Sequence, residues 1–272
     1  MFNLIVSQGR VADKTAQTIV GAARTAKALE HKYQIKGHYI GKPAAPANDD
    51  WRVSLPQAKE TLIEIGQAIM KSIQSQHLTV LLSNTCSVSL ASLPKVAQTN
   101  PDIVVLWIDA HGDFNTPETT STGYLGGMVL AATCGLWDSG HGSGLDPKQV
   151  ILIGARDIDQ TELELIHKSG VRIIPPSKTT PETILKTIGH SKLWIHIDWD
   201  ALEPGFVPAD YKVPNGLLPT QLRTLFETIP AEQILGIELA EFKAPFNAES
   251  SEKALSVILD IIEPVLEMSA IT

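Results

Sequence analysis

Cysteine is nearly absent: Cys86 and Cys134 are the only two in 272 residues. With no export signal, a disulfide between them is not expected, and each thiol needs its own explanation. Long apolar runs are missing too. The stretch from Met1 to Ser7 is too short for a secretory leader, and no later segment approaches the ~20 apolar residues of a membrane span. A cytoplasmic protein is the expectation. Basic surface is scarce, with a net charge of −8 and a pI near 5.5, and no run of Lys and Arg could track phosphates, so nucleic acid is not an expected partner. The Gly-rich stretch Ser139-Gly140-His141-Gly142-Ser143-Gly144 lacks the Gly-Lys-Ser/Thr of a phosphate cradle and follows no strand, which leaves a surface loop. Neither an internal repeat nor a low-complexity tract is evident.

What is present suits one α/β domain over residues 1–272, since 43% hydrophobic content can bury a large core. Short apolar or β-branched runs recur at Asn3–Ser7, Gly37–Ile40, Leu78–Ser83, Ile103–Ile108, Val150–Gly154, Val171–Ile174, Leu193–Asp198 and Ile234–Leu239. They read as eight strands. Between most of them lie helical patterns, such as Leu62, Ile65, Ile69 and Ile73, with Ser54 and Gln57 spaced as a capping box upstream. Near-continuous apolar strands joined by helices imply a mostly parallel sheet covered on both faces, whose ligands collect at the carboxyl ends of strands. The proline-rich run from Gly41 to Asp50 is then a loop at that edge, either solvated or walling the entrance to a site. The chain stops soon after its last helical pattern, Ala254 to Met268; a monomer is compatible with that, and the oligomeric state stays open.

Two acidic clusters end two of these runs: Asp109-Ala110-His111-Gly112-Asp113 and Asp198-Trp199-Asp200. Strand side chains alternate faces, so residues two apart leave on one side and each cluster converges on a point. Acids packed this densely repel unless cations sit among them. Four carboxylates against one imidazole favour a hard or borderline ion such as Mn²⁺ over a structural zinc. An isolated acid at a strand end is usually a helix cap or a solvated charge, the reading that suits Asp102 and Asp157. His196 shares the face of Asp198 and Asp200, either orienting a ligand or satisfied by buried neighbours; His77, His141, His167 and His190 have no acidic partners.

These clusters, extended as Asp109-Ala110-His111-Gly112-Asp113-Phe114-Asn115-Thr116-Pro117 and His196-Ile197-Asp198-Trp199-Asp200-Ala201-Leu202-Glu203-Pro204, resemble the metal motifs of the ureohydrolase family, the arginases and agmatinases. The resemblance implies an arginase-like three-layer α/β/α fold around eight parallel strands and two Mn²⁺ per chain bridged by hydroxide. It implies Asp109, His111, Asp113, Asp198 and Asp200 as ligands, with Asp200 relaying a proton. It also implies that Glu241 orients the guanidine, that Asp159 meets the substrate's α-amino group, and that Asn115 and Thr122 hold its carboxylate. Such contacts favour an arginine-like amino acid over agmatine. Glu238 and Glu203 have weaker claims, Glu238 as a support behind the site.

Two departures from the family pattern matter. Where the family has a ligand histidine, this chain has Cys86, within Ser83-Asn84-Thr85-Cys86-Ser87. It is either a thiolate ligand, which would shift preference toward softer ions, or a small buried thiol beside a one-metal site. Where arginases place a proton-shuttling histidine, this chain has Gly126, so general acid help must come from elsewhere or be unnecessary, and space opens beside the metals. Both changes suit a guanidine bearing a hydroxyl, which is less basic. With the runs Asn84-Thr85-Cys86-Ser87-Val88-Ser89 and Gly123-Tyr124-Leu125-Gly126-Gly127, they resemble the hydroxyurea-forming branch of the family, which hydrolyses Nω-hydroxy-L-arginine to hydroxyurea and L-ornithine in D-cycloserine (antibiotic) biosynthesis. A plain arginase or other guanidine hydrolase, and an inactive homologue that binds a guanidino ligand, are the rival expectations.

Overall fold

All eight apolar runs form strands in the computed structural model, which describes residues 2–268: β1 (Phe2–Ser7), β2 (His38–Ile40), β3 (Leu78–Leu82), β4 (Val104–Ile108), β5 (Val150–Ile153), β6 (Arg172–Ile174), β7 (Leu193–Asp198) and β8 (Ile234–Ala240). They make one sheet in the order β2-β1-β3-β8-β7-β4-β5-β6, and every described pairing is parallel. The connections carry α1 (Ala16–Tyr33), α2 (Trp51–Gln74), α3 (Ser89–Thr99), α4 (Val129–Thr133), α5 (Gln160–Ser169), α6 (Pro181–Ile188), α7 (Pro219–Thr228) and α8 (Ala248–Met268).

Alternation along each strand builds two cores. On β4, Leu106 and Ile108 join the core packed by α1, α6, α7 and α8, whereas Val105 and Trp107 join the one packed by α2, α3, α4 and α5. On β7, Leu193, Ile195 and Ile197 face the first core and Trp194 the second. Both faces are therefore covered, the condition for an all-parallel sheet. Each fully buried Leu or Ile adds roughly 1.5–3 kcal/mol. No helix of the described residues is long and apolar enough to cross a membrane.

The expected capping box at Ser54 and Gln57 is wrong. α2 starts earlier, at Trp51, because Asp50 caps it by accepting from the Arg52 N–H at 2.9 Å. Ser54 is buried inside the first turns, and Gln57 accepts from Arg10 instead, at 2.7 Å. The proline-rich loop after β2 runs straight into this cap. Its end abuts the turn at Gly123, with the Trp51 N–H donating to the Gly123 carbonyl at 2.8 Å.

One close approach positions the site. A Cβ on Gly21 of α1 would lie 1.8 Å from the carbonyl oxygen of Phe242, the residue after Glu241, so only glycine lets α1 pack against this segment.

Candidate active site

The clusters meet at the carboxyl ends of β3, β8, β7 and β4, the four middle strands. Strand alternation is not what makes them converge, however. β4 ends at Ile108, so Asp109, His111 and Asp113 lie on the loop beyond it, and Asp200 lies in a short helical turn after β7. Local turns do the gathering: Asp109 Oδ1 accepts from the His111 N–H at 2.8 Å, and Asp198 Oδ1 accepts from the Asp200 N–H at 2.9 Å. Asp113 and Glu241 hold positive φ, 48° and 61°, in the left-handed region that costs non-glycine residues energy.

His111 Nδ1 lies 3.3 Å from Asp109 and 3.2 Å from Asp200. Cys86, at the head of the turn before α3, has its Sγ 3.3 Å from Asp198 Oδ2 and 3.9 Å from Asp109 Oδ2. Three sets of ligand atoms each fall within 4.8 Å of one another: Asp109, His111 and Asp200; Cys86, Asp198 and Glu241; Cys86, Asp109 and His196. Asp113 belongs to none of these sets, but it is buried, its Oδ2 has no hydrogen-bond partner, and it lines the same cavity.

Without cations this cluster is in electrostatic conflict. Burial and the charges of Asp200 and Asp109 push Asp198 far above the usual carboxylate range. Burial and Asp109 do the same to Asp113. Asp200 rises to about 6, mainly through burial and Asp109. For Asp109, burial is outweighed by the hydrogen bonds and charge of His111, leaving it lowered; His111 is raised by Asp109 and Asp200 against its own burial. Burial and four neighbouring carboxylates, Asp198 foremost, push the Cys86 thiol well above its ordinary range. Divalent cations would reverse these penalties, and thiol, imidazole and carboxylate are all competent ligands. The donor set fits a metal.

A cavity of about 260 Å³ opens over the cluster, lined by Asn115, Thr122, Gly126, Asp159 and Glu241 together with Cys86, His111, Asp113 and Asp198. The expected amino-acid contacts share one wall: Asn115 Nδ2 donates to Asp159 Oδ2 at 3.4 Å, while Asp159 also caps α5 by accepting from the Glu162 N–H at 2.9 Å. Thr122 is exposed at the rim and meets neither. The space expected beside Gly126 is filled. A Cβ there would lie 2.5 Å from Cε1 of Tyr124, whose ring already occupies that volume.

Several supporting residues escaped the sequence reading. Glu162, raised to about 7 chiefly by burial, accepts from the Phe114 N–H at 2.8 Å and braces the first metal loop. Arg156 donates to the carbonyls of Asp200 at 3.0 Å, Val213 at 2.6 Å and Pro214 at 3.0 Å, tying the second metal loop to its neighbour. Tyr124 and Tyr211 line the cavity. Glu238 fills its expected place behind the site, accepting from Ser83 at 2.6 Å, Ser89 at 2.8 Å and Ser92 at 2.9 Å. His196 stacks on Trp107, ring centroids 3.5 Å apart, and its Nδ1 meets Ser89 at 3.2 Å while Nε2 has no partner. Ser89 and Ser92 on α3 carry no sequence signal of this kind, since each looks like any polar helix residue.

The arginase family model matches residues 6–263. This chain belongs to the arginase family. It is 60% identical over 270 residues, 99% of each chain, to the N(omega)-hydroxy-L-arginine amidinohydrolase of Streptomyces lavendulae. To the arginase of Bacillus caldovelox it is 28% identical, covering 76% of this chain and 75% of that one. Among solved structures, the Entamoeba histolytica arginase in complex with L-ornithine superposes with a TM-score of 0.84 at 20% identity, covering 97% of both chains, which shows the shared fold.

Proposed function

We propose that this member of the arginase family hydrolyses Nω-hydroxy-L-arginine to hydroxyurea and L-ornithine with two Mn²⁺ ions held at the loop cluster. The observation that carries the reading is the 60% identity over nearly the full length of both chains to the Streptomyces lavendulae amidinohydrolase. The cavity supplies what that substrate needs. Glu241 faces the guanidine end and Asp159 with Asn115 addresses the zwitterionic end, while the buried carboxylates of the cluster hold the cations. Bound there, divalent cations would acidify a water and stabilise developing negative charge at the guanidine carbon. Asp200, 3.2 Å from His111 Nδ1, would relay a proton to the departing ornithine amine. Delivery of hydroxyurea to D-cycloserine assembly is the biosynthetic role the sequence resemblance supports.

The test is turnover by the purified, manganese-loaded protein with Nω-hydroxy-L-arginine and with L-arginine, scoring hydroxyurea, urea and ornithine. Hydroxyurea with strong preference for the hydroxylated substrate is expected. Comparable kcat/KM on arginine would make the chain a plain arginase; ligand binding without any product would make it an inactive homologue.

A further inference from the structure

The glycine at 126 reads as a loss until Tyr124 is considered with it. The Tyr124 ring sits against the Gly126 Cα, with Cε1 and Cζ at 2.5 and 3.0 Å from where a Cβ would be, closer than real side chains pack. Its other side is held by Lys14, whose Nζ lies 3.6 Å from the ring centroid and also donates to the Tyr211 hydroxyl at 2.7 Å. Tyr211 in turn sets its ring edge-on to His111, centroids 4.9 Å apart. The Tyr124 hydroxyl donates to Glu241 Oε1 at 3.2 Å, the same oxygen that accepts from the Cys86 N–H at 3.2 Å. Two donors thus fix one oxygen of Glu241. Among the described residues no hydrogen bond engages the other, which is left for a ligand in the cavity.

We propose that Tyr124 is the positioning residue for Glu241 and that Gly126 is its obligate companion: the ring takes the volume a side chain at 126 would need, and the hydroxyl decides which carboxylate oxygen meets the substrate's guanidine. The choice of substrate rests on the function proposed above; the coupling between 124 and 126 does not. Any side chain at 126 must expel the ring, so Glu241 loses a donor whenever glycine is replaced.

The experiment is a mutant cycle on the manganese-loaded full chain with Tyr124→Phe, Tyr124→Ala, Gly126→Ala and the Tyr124→Ala/Gly126→Ala double variant. A hydrogen bond to a charged group is worth about tenfold in binding or somewhat more, so Tyr124→Phe should raise KM for Nω-hydroxy-L-arginine by about that factor. Its kcat should stay within about twofold, because the guanidine contact is made in ground and transition states alike. Metal content and melting temperature should match the wild type. Gly126→Ala should cost as much alone yet little once Tyr124 is already alanine, a non-additive pair. A wild-type KM in Tyr124→Phe, single effects that multiply in the double variant, or losses that track lost manganese would each overturn the proposal. If the wild type turns over arginine and not hydroxyarginine, the substrate reading falls and the same cycle is scored on arginine. If neither turns over, calorimetric binding of each compound gives the same cycle.

Discussion

Removing the cations should make the protein's stability fall as pH rises, the opposite of a fold held by ordinary ion pairs. The carboxyl of Asp200 moves from 3.8 to about 6 on folding. At 1.36 kcal/mol per tenfold change in acidity, that costs the metal-free fold roughly 3 kcal/mol at pH 7.5. The sign follows from which state ionises first: below about pH 4 both states are protonated, from there to about 6 only the unfolded chain gains the ionised form freely, and above 6 the full cost is present. Asp113 and Asp198 are raised further and extend the loss to higher pH. His111, raised in the fold, stabilises most below its unfolded value near 6.5 and loses that contribution upward, so it acts in the same direction. About half of the Asp200 cost is still to come between pH 5 and 7.5. A chelator-treated sample should therefore melt several degrees lower at pH 7.5 than at pH 5, taking roughly 2–4 °C per kcal/mol. Manganese should reverse the slope, because ionised carboxylates bind it and protons compete. Differential scanning fluorimetry at both pH values, with chelator and with manganese, reads all four numbers. A metal-free protein equally stable at the two pH values, or more stable at 7.5, would refute the electrostatic account of the cluster.

Asp109→Ala should abolish turnover and lower bound manganese measured by elemental analysis; full metal content in the variant would remove Asp109 from the ligand set. Cys86→His should keep the metal and change the pH profile of activity, since an imidazole replaces a thiol that burial holds protonated; unchanged metal content and pH dependence in both Cys86→His and Cys86→Ala would show that the thiol is no ligand. Glu238→Gln removes a buried charge held by three serine hydroxyls beside His196, and should cost about 3 kcal/mol or more in urea unfolding; a loss under 1 kcal/mol would mean that Glu238 is not held there as an anion. Gly21→Ala places a methyl against the Phe242 carbonyl, where overpacking of about 1–3 kcal/mol outweighs the roughly 1 kcal/mol gained in helix propensity; it should lower the melting temperature and raise KM together, and a stabilised variant would contradict the close approach.

The strands were legible because an all-parallel sheet buried on both faces needs apolar residues at nearly every position, and such runs stand out against polar helices. The ends of β4 and β7 were legible for the same reason, since each apolar run breaks off at its acid, Asp109 or Asp198. Helix starts were less so. Ser54 and Gln57 have capping-box spacing, but Asp50 lies four residues ahead at the end of a loop that had to turn there anyway, and the sequence does not say which cap the chain reaches first. The convergence of Asp109, His111 and Asp113 was anticipated for the wrong reason, because spacing by two is shared by a strand and by an Asx turn such as the one Asp109 makes with His111. The end of β4 at Ile108 and the positive φ of Asp113 separate the two cases.

What could not be read from the chain is how a vacancy is filled. Gly126, where the resemblance implies a histidine, looks in one dimension like lost volume and a lost proton carrier. In space, that volume belongs to Tyr124, two residues away, and through its hydroxyl to Glu241, just past the end of β8. Tyr124 and Gly126 lie on a loop and at the start of a short helical turn rather than on a strand, so the period-two rule that would pair residues two apart does not apply to them. On the function proposed above, the position is better understood as an exchange: where the resemblance implies a histidine, an aromatic ring held by Lys14 donates to Glu241. An acid whose ionised form is already disfavoured by burial and by Asp13 and Asp210 gains most from each donor it keeps. Retaining the tyrosine donor at Glu241 then has more consequence for binding than restoring a side chain at 126, which is why the two positions must change together.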